Sequence, residues 1–170
     1  TNVISITDGQ IFLESDLFFA GMRPAVNVGL SVSRVGGAAQ TKAMKKASGS
    51  IRIDLAQYRE MEVFTQFSSD LDDATKEQLE YGSGLMELLK QPLCQPLSLK
   101  EKVITLCAAT HKIFMGVEKQ QIKAFQHEML DYFEKEHPQI GAQIEQSQAL
   151  TEELTEEIVK AAGDFKKSRC

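Results

Sequence analysis

The hydrophobic pattern of these 170 residues changes after about residue 36. Apolar residues shortly before that point recur at every second position, as in a half-buried β-strand: Val26, Val28, Leu30 and Val32. A further short strand is predicted over residues 3–7, which are rich in β-branched side chains and precede the turn signal Asp8-Gly9. Two strands alone are marginally stable, so we expect them to belong to a larger sheet.

From about Ala38 onward the apolar spacing becomes helical, with intervals of three and four residues. Apolar stripes of this kind begin at four positions: Ile51, Val103, Ile122 and Leu150. The pattern predicts five to seven helices joined by short loops, which is a helical bundle. The fold class is therefore mainly α, with a short β remnant over residues 1–36 and a helical domain over residues 37–170.

Individual helix boundaries follow from local signals. The spacing Ser98-x-x-Glu101 is a capping box, in which the two side chains satisfy free backbone amides at a helix start. A helix is expected to start at Ser69 and run through Leu79, and the Gly82-Ser83-Gly84 run is expected to interrupt it.

Composition narrows the functional class. The net charge of −5 and the isoelectric point near 5.3 argue against nucleic acid as the main partner. No run approaches the roughly 18 apolar residues of a membrane-spanning helix, and no signal peptide is recognisable. The sequence begins at Thr1, directly before a strand-like run, as expected for a piece of a longer protein. Three scattered cysteines indicate a reducing compartment and suggest no metal site.

Catalytic motifs are missing from the sequence. The run from Gly36 to Lys42 lacks the Gly-Lys pair of a phosphate-binding loop, and neither G-x-S-x-G nor H-E-x-x-H occurs. A free-standing catalytic centre is therefore not supported, and the isolated chain is not expected to be active.

Several longer strings carry a family resemblance. They are VISITDGQIFLE from Val3, GMRPAVNVG from Gly21, LSVSRVGGAAQTKAMK from Leu30 and SGSIRIDLAQYREMEVFTQF from Ser48. In these strings the protein resembles the alpha subunits of F-type rotary ATP synthases. The acidic DELSEED loop of the related beta subunits is absent.

The resemblance implies a fold and a setting. Residues 1–36 would be the last strands of the central nucleotide-binding α/β domain, and the rest would be the C-terminal helical domain. The implied partners are the beta subunit of an alternating ring, the central gamma shaft and the peripheral delta stalk. The implied location is peripheral, at the cytoplasmic side of a bacterial plasma membrane or at an inner mitochondrial or thylakoid membrane. Proton-driven ATP synthesis, with ATP or ADP and magnesium bound mainly by upstream residues, is the implied activity.

The resemblance also assigns two residues to a catalytic site on the neighbouring beta subunit. Arg34 matches an arginine finger, whose guanidinium stabilises charge on the transferring phosphoryl group. Ser5 matches a serine that faces the same inter-subunit site. A strand serine bonded only to backbone is an equally good interpretation of Ser5.

Four further residues match the nucleotide pocket of alpha itself, where ATP binds without turnover: Phe18, Arg23, Pro24 and Gln91. An aromatic ring can contact the adenine face, and a glutamine amide can donate to and accept from its edge. The family usually has a second glutamine two residues later, where this chain has Leu93. Phe18 could equally be an ordinary core residue.

An alternative function is a helical protein–protein interaction module with no nucleotide role. The amphipathic helices would support it equally well, because such helices are generic. The strings around Arg23 and Arg34 favour the ATP synthase interpretation.

Overall fold

A computed structural model of the protein describes residues 3, 6–65 and 72–169. Its N-terminal segment contains strand β1 (Gly9–Gln10), helix α1 (Ser15–Phe19) and strand β2 (Val32–Ser33). The two strands pair antiparallel, with Gly9 opposite Ser33 and Gln10 opposite Val32. An isolated bridge between Leu13 and Val26 extends this small ladder.

The remainder of the described protein is helical. The helices are α2 (Gly36–Ala39), α3 (Lys42–Ala47), α4 (Ile51–Thr65), α5 (Asp73–Leu89), α6 (Leu99–Thr110), α7 (Ile122–Glu136), α8 (Pro138–Ser147) and α9 (Glu152–Arg169), with a 3-10 turn at Lys119–Gln121. The prediction of a mainly helical fold with a short β portion is thus confirmed.

Helix α6 lies at the centre of the bundle, packed against α3, α7, α8 and α9. The stripe that the sequence predicts for it is buried, with Val103, Cys107 and Ala108 at most 1% exposed. Helices α4 and α5 form an antiparallel pair beside this centre, and α5 also contacts α7. No helix in the described ranges is long and apolar enough to cross a membrane.

The predicted strand around Val26–Val32 forms only at its two ends. Residues 28–30 make a turn, because the buried Asn27 offers the backbone other partners. Its Oδ1 accepts a bond from the Leu30 amide at 3.0 Å, and its carbonyl accepts from the Ser31 amide at 3.0 Å. Such local side-chain bonds compete with a sheet ladder. The alternation of apolar residues therefore overestimated the length of the strand. The strand predicted over residues 3–7 is wrong at its described positions, because Val3 and Ile6 are helical and the Thr7 amide donates to the Val3 carbonyl at 3.2 Å.

The predicted interruption at Gly82-Ser83-Gly84 is wrong, because α5 runs continuously through it. A Cβ on Gly82 would lie 2.3 Å from Cδ2 of Tyr58, so glycine is required here by the close contact between α4 and α5. Helix α5 begins with Asp72, whose side chain accepts a bond from the Thr75 amide. The predicted start at Ser69 lies outside the described residues.

The capping box at the start of α6 is confirmed. The Glu101 amide donates to Ser98 Oγ at 3.3 Å, and the Ser98 amide donates to Glu101 Oε2 at 2.6 Å. Hydrogen bonds from the Ser98 side chain and from the Ser98 backbone amide hold the pKa of the Glu101 carboxyl below its ordinary value, since they stabilise the charged form. The cap fixes the end of the loop that connects α5 to α6.

Candidate functional site

A cleft of about 1050 Å³ lies where the N-terminal segment meets helices α5 and α7. Its lining combines apolar, aromatic and charged side chains: Phe18, Arg23, Pro24, Ala25, Glu87, Lys90, Gln91, Pro92, Leu93, Cys94, Lys123 and His127, with Gly21. Four of these residues are the ones assigned to a nucleotide pocket from the sequence. The structure therefore brings Phe18, Arg23, Pro24 and Gln91 to one place, although Gln91 is far from the other three in sequence.

One wall of the cleft is built by α1 and the turn after it. The Arg23 guanidinium lies over the Phe18 ring, 4.6 Å from its centroid, in a cation–π contact. Between them, Gly21 has a φ of +82°, a conformation that suits glycine, and Met22 is buried. Phe18 is 47% exposed, so much of its ring remains accessible from the cleft.

The opposite wall is the loop after α5, and it is tied directly to the first. The Gln91 amide donates to the Arg23 carbonyl at 2.9 Å. The Gln91 side chain donates from Nε2 to the Gln95 carbonyl at 3.2 Å. Since a carbonyl only accepts, this bond fixes which end of the Gln91 amide is the donor and leaves Oε1 available as an acceptor. Leu93, where the family usually has glutamine, is 91% exposed.

The floor of the cleft is charged. Lys90 and Glu87 form an ion pair with 2.7 Å between Nζ and Oε2. Lys123 is half-buried, and its Nζ donates to the Leu88 carbonyl at 2.8 Å and to Gln126 Oε1 at 3.0 Å. Burial lowers the pKa of Lys123, with a smaller opposing contribution from Glu87. Above this floor, the Phe18 ring on one wall can contact a planar apolar group, and the Gln91 amide on the other wall can bond polar atoms.

Asn27 joins the N-terminal segment to the helical bundle. Its Nδ2 donates to Glu14 Oε1 at 2.7 Å, and its Oδ1 accepts from Arg59 of α4 at 3.0 Å. Arg52 of the same helix donates to the Gly29 carbonyl at 2.8 Å. These contacts hold the wall that contains Phe18 and Arg23 against α4.

The two residues assigned to a neighbouring catalytic site lie elsewhere. Arg34 directly follows β2, where its amide donates to the Asp8 carbonyl at 2.7 Å, and its side chain is exposed. It is not among the residues that line the cleft. Ser5 lies outside the described residues.

Sequence reasoning missed the charged residues of the cleft floor. Glu87, Lys90 and Lys123 occupy polar positions of α5, the following loop and α7, and such positions usually face solvent. Only the packing of α5 on α7 turns them towards the loop that contains Gln91. No local motif in the sequence marks them.

The fold combines a helical bundle with a short N-terminal β segment, and each of them matches a model of a known protein family. Residues 40–165 match the model of the C-terminal domain of the ATP synthase alpha/beta chains, and residues 1–33 match the nucleotide-binding domain of the same family. The protein belongs to the ATP synthase alpha/beta family.

Curated relatives point to the alpha type within that family. ATP synthase subunit alpha of Clostridium kluyveri is 51% identical over 167 residues, which cover 98% of this chain and 33% of that protein. ATP synthase subunit alpha of Lawsonia intracellularis is 54% identical over 168 residues, covering 99% of this chain and 33% of that protein. The sequence thus spans about a third of the length of these relatives, and the resemblance to alpha subunits is confirmed.

Proposed function

We propose that this protein acts within an ATP synthase as part of the alpha subunit, where it has two roles. The cleft at Phe18 and Gln91 forms part of the wall of a pocket for the base of an adenine nucleotide that is not turned over. Arg34 reaches a catalytic site on the adjacent beta subunit and acts there as an arginine finger.

The convergence of Phe18, Arg23, Pro24 and Gln91 on one cleft is the observation that carries the first role. A half-exposed aromatic ring suits the face of a purine. The free Oε1 of Gln91 suits the exocyclic amino group of adenine, which is a donor. The chemistry of these groups therefore fits the adenine base.

The position of Arg34 is consistent with the second role. It follows a strand held by the Asp8 carbonyl, so its backbone is anchored while its side chain is exposed. Phosphoryl transfer needs positive charge near the transferring group rather than covalent help, and a guanidinium fork supplies it. Ser5 would assist near the same phosphates.

The remaining parts of the nucleotide sites belong to other segments and subunits. The described residues contain no cluster of His, Cys, Asp or Glu that could hold a metal ion, so we assign no magnesium ligand to them. The proposed partners are beta, the gamma shaft and the delta stalk. The proposed setting is a peripheral position on an energy-coupling membrane, where the assembled enzyme couples proton transport to ATP synthesis or hydrolysis.

Nucleotide binding to the complete alpha subunit tests the cleft. We expect Phe18→Ala and Gln91→Ala each to weaken ATP binding by about tenfold, because each removes one contact with the base. Calorimetric titration with MgATP measures this.

A matched control is Gln120→Ala, which removes an exposed glutamine that does not line the cleft. It should bind ATP as the unmodified subunit does. Unchanged affinity in both cleft variants would contradict the assignment of the cleft.

A further inference from the structure

The Lys123 side chain forms two hydrogen bonds within the protein, whereas lysines on a helix surface usually extend into solvent. It lies in the first turn of α7, yet its ammonium reaches the carbonyl of Leu88 in the last turn of α5 at 2.8 Å. The last carbonyls of a helix have no partner within the helix, and a cation there is favoured by the helix dipole. Lys123 thus caps the C-terminal end of α5 from a neighbouring helix.

The Lys123 ammonium also bonds to a buried pair of polar side chains, Gln126 and Thr105, through Gln126. Gln126 Oε1 accepts from Lys123 at 3.0 Å, and Gln126 Nε2 donates to Thr105 Oγ1 at 3.2 Å. Gln126 is 2% exposed and Thr105 is 3% exposed. Buried polar groups destabilise a core unless they are bonded, and a fully bonded series of them is rigid. These hydrogen bonds link the end of α5 with the central helix α6.

The loop after α5 begins directly after Leu88 and Leu89, next to the carbonyl that Lys123 bonds. Gln91 lies three positions beyond Leu88, and its amide donates to the Arg23 carbonyl on the other wall of the cleft. The far end of the loop is fixed by the Ser98–Glu101 capping box. The loop is therefore held at its start by Lys123 and at its end by that cap.

We propose that Lys123 is a positioning residue of the cleft, which holds the end of α5 so that Gln91 meets Arg23 and presents its amide to the ligand. This inference rests on the proposed function, because the ligand is taken to be the adenine nucleotide. Lys123 acts through Gln91 and does not need to touch the base.

The test uses the complete subunit with the variants Lys123→Met and Lys123→Arg. The Met variant keeps the aliphatic stem and loses the ammonium, whereas the Arg variant keeps a cationic donor. Hydrogen exchange of peptides that cover residues 89–97 reports on the loop without any nucleotide. MgATP titration then reports on the cleft.

We expect Lys123→Met to speed exchange in the loop severalfold and to weaken MgATP binding by about tenfold, through loss of one charge-assisted bond. Lys123→Arg should keep both the exchange rate of the loop and the affinity for MgATP close to those of the unmodified subunit. Lys135→Met, an exposed lysine on the same helix, should change neither. Lys123→Ala, which also removes the donor, replaces the Met variant if that variant does not fold.

The possible failures are separable. Unchanged loop exchange in Lys123→Met would overturn the inference, whatever the affinity. Faster exchange with unchanged affinity would also overturn it, while leaving the proposed function intact. If the unmodified subunit bound no MgATP at the cleft, the proposed function would fail, and the role of Lys123 in ligand positioning would fail with it.

Discussion

The N-terminal segment and the helical bundle differ in how far their large apolar side chains are exposed. In the bundle, Met129 and Ile158 are fully buried, and one continuous core connects α3 with α9. In the N-terminal segment, Ile11 is 76% exposed and Phe19 is 82% exposed. The bundle therefore buries most of its large apolar side chains, whereas the segment presents apolar surface of the kind that marks an interface. The residues proposed for nucleotide chemistry lie in that segment or where it meets the bundle.

Arg34 gives the largest expected effect, and it tests the segment's dependence on a neighbouring subunit. In the assembled ATP synthase, Arg34→Ala should lower the rate of ATP turnover by about 10³–10⁵, the value typical of arginine fingers. Nucleotide binding should change little, since the interaction develops in the transition state. Steady-state ATPase assays alongside nucleotide titration measure both quantities.

Arg169→Ala is a control for the general loss of an exposed arginine. Its guanidinium bonds Glu128 within the helical bundle, so the substitution should reduce stability slightly and leave turnover nearly intact. Equal turnover for Arg34→Ala and the unmodified enzyme would show that Arg34 has no catalytic role.

A pair of isoleucine truncations compares the two regions directly. Ile158→Ala in α9 should lower the free energy of unfolding by about 2–5 kcal/mol, because it leaves a cavity in the core. Ile11→Ala in the isolated protein should change it by no more than about 0.5 kcal/mol, as for other exposed positions. Urea unfolding followed by circular dichroism measures both. Similar losses for the two variants would mean that the segment is packed as firmly as the bundle.

Substitutions at the contact between α4 and α5 should change the free energy of unfolding by less than Ile158→Ala does. Gly82→Ala should lower the free energy of unfolding by about 1–3 kcal/mol, since the new Cβ would overlap the Tyr58 side chain near its base, where it cannot move away. Gly84→Ala on the same helix has room, with Ile122 Cδ1 at 3.7 Å, and should stabilise by about 0.5–1 kcal/mol. Thermal unfolding compares them, and two changes of the same sign would contradict the packing described.

Loss of the cap on α6 gives the smallest expected change. Ser98→Ala should destabilise by about 1 kcal/mol, because the Glu101 amide loses its partner. The pKa of Glu101 is lowered in the folded state, so its contribution is fully present above the ordinary carboxyl pKa and is lost as pH falls through the lowered folded value. The stability difference between the unmodified protein and Glu101→Gln should therefore shrink on acidification. A difference that stayed constant with pH would argue against the charged cap.

The helical bundle was largely predictable because its signals are local. The apolar stripes that begin at Val103, Ile122 and Leu150 have helical spacing, and each is buried as expected. The capping box needs only four consecutive residues. Periodicity and caps therefore place the helices without knowledge of the tertiary structure.

Two of the errors arose from the hydrogen bonds of one buried side chain and from a contact between residues distant in sequence. Asn27 ends the strand pattern through its own hydrogen bonds and through Arg59, 32 positions away. Gly82 continues a helix because Tyr58 occupies the space that a side chain would need. Composition and spacing could not place the cleft either. Phe18 and Gln91 were found through family resemblance, and Lys123 was not found at all.

The central claim, that the cleft holds the base of an adenine nucleotide, is tested most directly by photolabelling the complete subunit with 2-azido-ATP and mapping the label. The account predicts label in peptides that contain Phe18 to Pro24 and Gln91 to Gln95, competed by excess ATP. Label confined to peptides outside the cleft, with these two unlabelled, would contradict it.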